Sequence, residues 1–238
     1  MNMRAETSLA VVLRRVAALS SIAGYVEVIG FKDFGGIYPG IMTGNTVQLS
    51  LTLAKAQWAH FGIVGFAVGL FFIGGMIASI VRWHLRRPPL QLLAITALLI
   101  AAGCVRLIHP SERFVELALL AVAMAMQGET LAKFGGVSLQ TIVVTNNMVK
   151  FSDAFVGRYL VGSMRRASAA HGSTTIGRPE LKEVLMPGLA WVSYSIGAAA
   201  GAILTDWFRF PFVVPVLLLV LIVCDLLRSW PDTDDTLR

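Results

Sequence analysis

Phe34-Gly35-Gly36-Ile37-Tyr38-Pro39-Gly40-Ile41-Met42-Thr43-Gly44-Asn45-Thr46 interrupts an apolar stretch that runs from Val11 to Ala54, and the fold turns on how that interruption is read. Gly35, Gly36, Pro39 and Gly40 all disfavour a continuous helix, the glycines through backbone entropy and the proline through its missing N–H. The surrounding composition sets the solvent. Of 238 residues 56% are hydrophobic, only 20 are basic and 14 acidic, and the mean hydropathy is +0.72. An ordinary soluble domain carries about 25% charged residues. A soluble enzyme and a disordered, collagenous or coiled-coil chain are therefore excluded, and an integral membrane protein is implied. In hydrocarbon, non-helical backbone strands N–H and C=O groups at several kcal/mol each. A break of this kind belongs at a protein interior or a wet cavity.

A crossing helix needs about 20 apolar residues. Gly62 to Val81 and Val184 to Thr205 meet this without a charge; Pro88 to Val105 and Phe210 to Cys224 do so if Arg106 and Arg228 snorkel to the interface. Phe114 to Val156 is, like Val11 to Ala54, long, apolar and broken by Gly and charge near its middle. Counted as one discontinuous span each, these two give six crossings; counted as two each, they give eight. With the N-terminus inside, six spans place 13 Lys and Arg inside and four (Lys55, Arg106, Arg113, Arg209) outside, whereas eight spans give 13 against six. The basic cluster Arg82-Trp83-His84-Leu85-Arg86-Arg87, abutting a span, also favours six. Arg14-Arg15 before an apolar run mimics a signal peptide, but Glu27 stands where the apolar region should end, so an uncleaved first span is expected. Cys104 and Cys224 lie in apolar runs and are expected to be small buried hydrophobes.

The interruption has a second copy. Thr43-Gly44-Asn45-Thr46-Val47-Gln48-Leu49-Ser50 matches Thr145-Asn146-Asn147-Met148-Val149-Lys150-Phe151-Ser152 at an offset of 102, and Phe34-Gly35-Gly36-Ile37 matches Phe134-Gly135-Gly136-Val137 at 100. Further on, Phe72-Ile73-Gly74 pairs with Ser195-Ile196-Gly197, and Cys104, Arg106 and Pro110 pair loosely with Cys224, Arg228 and Pro231. The expected fold is all-α and polytopic: about six transmembrane helices as two inverted three-helix repeats, 11–108 and 114–230, with helices 1 and 4 discontinuous and a polar cytoplasmic loop at 158–185. Three spans per copy is odd, so the copies enter the membrane from opposite sides, and carriers of that design place their site where the repeats meet. Pro179 suits the first turn of a short helix, Glu180 to Met186, leading into the next span.

Glu27 is the sharpest candidate, an acid well below the headgroups; charges at that depth need a partner and often mark ion or proton paths. Its counterpart is Glu129 at an offset of 102 and Gln127 at 100. Lys32 and Asp33 follow at once, able to neutralise each other or to cap the break. Thr43, Asn45 and Thr46, with Thr145, Asn146 and Asn147, carry the oxygens and amides to cap a returning half-helix, whose exposed N–H groups favour an anionic or carbonyl group. A purely structural cap explains them as well. Gly40-x-x-x-Gly44 and Gly197-x-x-x-Gly201 read as close packing.

Ala23-Gly24-Tyr25-Val26-Glu27, Gly35-Gly36 and Met42-Thr43-Gly44-Asn45-Thr46-Val47, followed by Met126-Gln127 and Phe134-Gly135-Gly136, are similar to the signature of the YoaK-type bacterial membrane proteins, a family defined by a domain of unknown function. The resemblance runs from about residue 15 to 230. It implies a bacterial inner-membrane protein with about six helices, and no substrate. The residues themselves hold no His-Glu-x-x-His, Gly-x-Ser-x-Gly, Cys-x-x-Cys or phosphate loop, so neither an enzyme, nor a cofactor, nor a metal site is expected. His60, His84, His109 and His171 are scattered, and the net charge of +6 hugs span ends rather than forming a nucleic-acid patch. The expected partners are the lipid bilayer and a small solute or ion, with a homo-oligomer left open and both termini cytoplasmic. A small-solute secondary transporter, proton- or cation-coupled, leads, its two halves rocking against each other; a channel and a non-transporting structural or receptor protein are the alternatives.

Overall fold

The computed structural model describes residues 8–84, 88–130, 133–134, 137–138, 144–161 and 179–229. They form eight helices: α1 Leu9–Asp33, α2 Met42–Ala54, α3 Trp58–His84, α4 Pro88–Ile108, α5 Arg113–Thr130, α6 Val144–Phe155, α7 Leu181–Leu204 and α8 Val213–Ser229. Helix α6 continues into π-helical geometry over Val156–Val161, and a two-residue ladder pairs Lys133–Phe134 with Val137–Ser138. The chain is thus an all-α membrane protein. Four segments are long and apolar enough to cross by themselves: Leu9–Asp33, Trp58–Val81, Pro89–Ile108 and Leu181–Leu204.

Helix α1 departs from the expected discontinuous helix. Its 25 residues run unbroken to Asp33, about 37 Å at 1.5 Å per residue, enough for some 30 Å of hydrocarbon. It closes with Gly35 and Gly36 at φ +64° and +93°, conformations open chiefly to glycine, while the Gly36 N–H reaches back to the Phe31 carbonyl. The chain then doubles back along α1: the Pro39 ring lies on Gly30, and Gly40 lies on Glu27. Helix α2 starts beside Glu27 and climbs again. With 13 residues, about 20 Å, it is too short to cross alone.

The halves interlock. Helix α1 packs on α7, and α5 packs on α3. Small residues set the first contact: a Cβ at Gly24 would strike the Tyr194 carbonyl, one at Gly197 the Ser21 carbonyl, and one at Gly201 the Tyr25 carbonyl. The Gly197-x-x-x-Gly201 pair therefore serves close packing as expected. Gly74 does the same for α3 against Val122 of α5. Gly40, by contrast, sits in the loop rather than on a helix–helix seam. A core of Leu19, Ile22, Val26 and Ile29 from α1, Leu92, Ile95 and Leu99 from α4, Leu120 and Met124 from α5, Leu219 and Ile222 from α8, and Phe212 just before α8 joins the bundle.

Three local expectations are corrected. Pro179 precedes the helix instead of filling its first turn; the Glu183 carboxylate accepts from the Glu180 N–H and caps a single helix that runs through Pro187 to Leu204. Lys32 and Asp33 do not neutralise each other, because they point to different neighbours. Lys32 pairs with Asp206 at 2.9 Å, and Asp33 pairs with Arg106. Cys104 and Cys224 are exposed on the helix flanks, since an apolar run in a bilayer says nothing about which face meets protein and which meets lipid.

Candidate functional site

One cavity of about 670 Å³ lies where the interrupted stretches meet. The start of α2 contributes Met42 and Thr43, with Gly40 and Ile41 just before it, and the start of α6 contributes Val144 and Thr145. Helix α3 adds Phe71 and Gly75, α5 adds Ala125 and Gly128, and α7 adds Tyr194, Ser195 and Ala198. Four pairs of these residues stand at the offsets of the sequence matches: Met42 with Val144 and Thr43 with Thr145 at 102, Phe71 with Tyr194 and Gly75 with Ala198 at 123. Among the described residues, no group of His, Cys, Asp or Glu is arranged to hold a metal ion.

Glu27 stands against this wall. Its side chain is buried, 1% exposed, and neither carboxyl oxygen has a hydrogen-bond partner. The backbone N–H groups of Gly40 and Ile41 face it without reaching hydrogen-bond geometry. Glycine at position 40 is what admits it, because a Cβ there would overlap Oε1. Lys32 is spent on Asp206 and does not answer the charge.

The polar residues around the break hold it rather than cap α2. The Asn45 side chain accepts from the Tyr38 N–H at 2.9 Å and donates to the Tyr38 carbonyl at 2.6 Å, satisfying both groups of one loop residue. Gln48, which the sequence reading passed over, donates to the Gly36 carbonyl. Ile41 occupies the N-cap position, with no side-chain cap bond. Thr46 is exposed and bonds back to Met42 of its own helix, and Thr43 is exposed into the cavity.

In the second copy Gln127 is buried and donates to the Leu19 carbonyl of α1 at 2.8 Å. Thr145 lines the cavity, Asn146 is half-buried and Asn147 is buried like Asn45. The side chain of Glu129 and most of 131–143 lie outside the described residues, as do 162–178 of the polar loop. Asp33 is not brought to the cavity; it belongs to a cluster in which Arg106 bonds both Asp33 and Glu116, the latter at 3.4 Å, tying the ends of α1 and α4 to the start of α5. Phe71, Gly75, Tyr194 and Ser195 were missed among the candidates. A signal was available, since the alignment of Phe72 with Ser195 also places Phe71 on Tyr194 and Gly75 on Ala198.

The family model described as protein of unknown function (DUF1275) matches residues 16–224. The UPF0700 transmembrane protein YoaK of Bacillus subtilis (strain 168) is 23% identical over 214 residues, covering 86% of this chain and 89% of that one. No solved structure matches the chain. A family model that spans nearly the whole apolar bundle, both interrupted stretches included, leaves one assignment: the chain belongs to the DUF1275 family.

Proposed function

We propose that the protein is a small-solute secondary transporter of the bacterial inner membrane, coupled to a proton or cation through Glu27. One observation carries the reading: a single cavity is lined from both halves by repeat-related residues, with a buried, partnerless carboxyl at its wall. A dry structural core does not retain such a group without a counter-charge, because an acid at mid-depth costs about 2.5–3.5 kcal/mol on insertion scales. In this reading α1, the returning loop and α2 make one net crossing, as do α5, its following stretch and α6. The chain then has six crossings in two inverted copies, 11–108 and 114–230, with both termini in the cytoplasm. The ion pairs of Arg14 and Arg15 with Asp225 support it by placing the start of α1 and the end of α8 at one face.

The moving parts in this reading are not the sequence halves. Helix α7 holds α1 and α6, and α3 holds α2 and α5. The cavity lies between these two sets, and the interrupted stretches are where the chain passes from one set to the other. Thr43, Thr145, Ser195 and Tyr194 offer the solute hydrogen bonds, while Glu27 holds or releases the coupling ion.

Proteoliposomes loaded with a panel of metabolites test this by counterflow. Saturable, solute-dependent uptake that collapses in Glu27→Gln supports coupled carriage. Ohmic, unsaturable conductance supports a channel instead, and uptake undisturbed in Glu27→Gln removes that residue from the mechanism.

A further inference from the structure

We propose that the cavity is loaded sideways from the bilayer, through a groove on the flank of α3, and that the solute it takes is a lipophilic monovalent cation. This rests on the carrier reading above. The groove, about 740 Å³, shares Met42, Phe71 and Gly75 with the central cavity, so the two spaces adjoin. Its outer wall is apolar: Phe72, Met76 and Ile80 are 68%, 47% and 58% exposed along the middle of a 27-residue spanning helix. In a membrane that exposure is to acyl chains. A solute with an apolar body concentrates there, the more strongly the more CH₂ groups it buries, and it reaches the junction without crossing water. The junction is open at Gly75, where a Cβ would meet nothing within 4 Å, so a long side chain placed there would enter it.

The charge follows from what surrounds the junction. No Lys or Arg lines either space among the described residues, whereas the aromatic residues Phe71 and Tyr194 line the central cavity, and aromatic faces attract cations. The Glu27 carboxyl lies directly behind Gly40 of the cavity wall and has no hydrogen-bond partner. The amides of Gly40 and Ile41, just ahead of α2, face that carboxyl rather than the cavity. Exchange of one proton on Glu27 for one monovalent cation keeps the buried charge constant. The start of α6 has the opposite preference and makes an anion the competing outcome.

Tetraphenylphosphonium and tetraphenylborate, alike in size and opposite in charge, separate these outcomes when their binding to the full chain in nanodiscs is measured against empty nanodiscs. Saturable phosphonium binding is expected, weakened at least tenfold by Gly75→Leu and by Glu27→Gln. Gly69→Leu, on the same helix with open space around it and outside both linings, should change it less than twofold. The route has its own readout: a bimane on Ser195→Cys, with Cys104 and Cys224 replaced by Ser, should be quenched by brominated acyl chains, and Gly75→Leu should at least halve that quenching. Preferential borate binding overturns the charge assignment. Unchanged phosphonium affinity and quenching in Gly75→Leu overturn the sideways route while leaving the cavity a site. Counterflow of a hydrophilic metabolite with no phosphonium binding sinks this proposal and spares the carrier, and failure of both experiments sinks the carrier too.

Discussion

Glu27 of α1 and Gln127 of α5, one of its two sequence counterparts, are both buried and behave in opposite ways. Both are buried to within 1% of full enclosure. Gln127 spends its amide on the Leu19 carbonyl and so braces α5 against α1, whereas the carboxyl of Glu27 bonds to nothing. Of these two buried groups, one is ionisable and unbonded and the other is a fixed strut. A strut can be lost at the cost of its bond, but a lone carboxyl has only its chemistry to lose. The comparison is therefore broken first at Glu27. Glu27→Gln should cut coupled uptake at least tenfold, about 1.4 kcal/mol in the relevant free energy. The thermal midpoint of the same preparation should stay level or rise, because an uncharged group replaces one that prefers water. A fall in midpoint as large as the fall in uptake would make Glu27 a structural residue.

The next effect falls on the strut that has no counterpart in charge, Asn45. It satisfies both backbone groups of Tyr38, and leaving a buried polar group unpaired costs about 1–3 kcal/mol. Asn45→Ala should destabilise the fold by about 2 kcal/mol in chemical unfolding, with the break loosened first in hydrogen exchange at Tyr38. Gln127→Leu removes a single bond. Hydrogen bonds inside membrane bundles average about 0.6 kcal/mol, so about 1 kcal/mol or less is expected, with uptake retained. If Gln127→Leu abolishes uptake while the midpoint holds, the amide is not a mere strut and the asymmetry drawn here is wrong.

How much of this was readable beforehand differs between the two stretches for physical reasons. Composition and length announce the spanning helices, and Gly35-Gly36 marks where α1 must end, since few other residues accept φ near +64° and +93°. The route after the break was not readable. It depends on Asn45 and Gln48 reaching back to Tyr38 and Gly36, and a side chain that braces a loop looks in sequence like one that caps a helix. Phe71 and Tyr194 were hidden because an aromatic residue inside an apolar helix carries no contrast. Only the repeat distinguishes them, by pairing them across the halves. Asp33 looked like a site residue beside Glu27, yet its partner Arg106 lies 73 positions away, and nothing local announces such a meeting.

That last case also supplies the smallest effect, and it bears on why Glu27 differs from other charges on its own helix. Lys32 and Asp33 lie about one and a half turns beyond it, roughly 7.5–9 Å along the axis, and both have partners. The Lys32–Asp206 pair is open to its surroundings, with the Asp206 side chain 71% exposed and that of Lys32 35%. Pairs of this kind contribute about 0.2–1 kcal/mol, and salt screens them. Asp206→Asn should therefore shift the unfolding free energy by about 0.5 kcal/mol or less, the shift shrinking as salt is raised from 0.05 to about 0.5 M. Lys32 keeps its bond to the Ala202 carbonyl at 3.2 Å in that variant, so α1 stays attached to α7 and uptake should be unchanged. A loss of uptake on a scale comparable to that of Glu27→Gln would mean that the rim charges open and close with the cavity, and depth alone would no longer separate a working charge from a structural one.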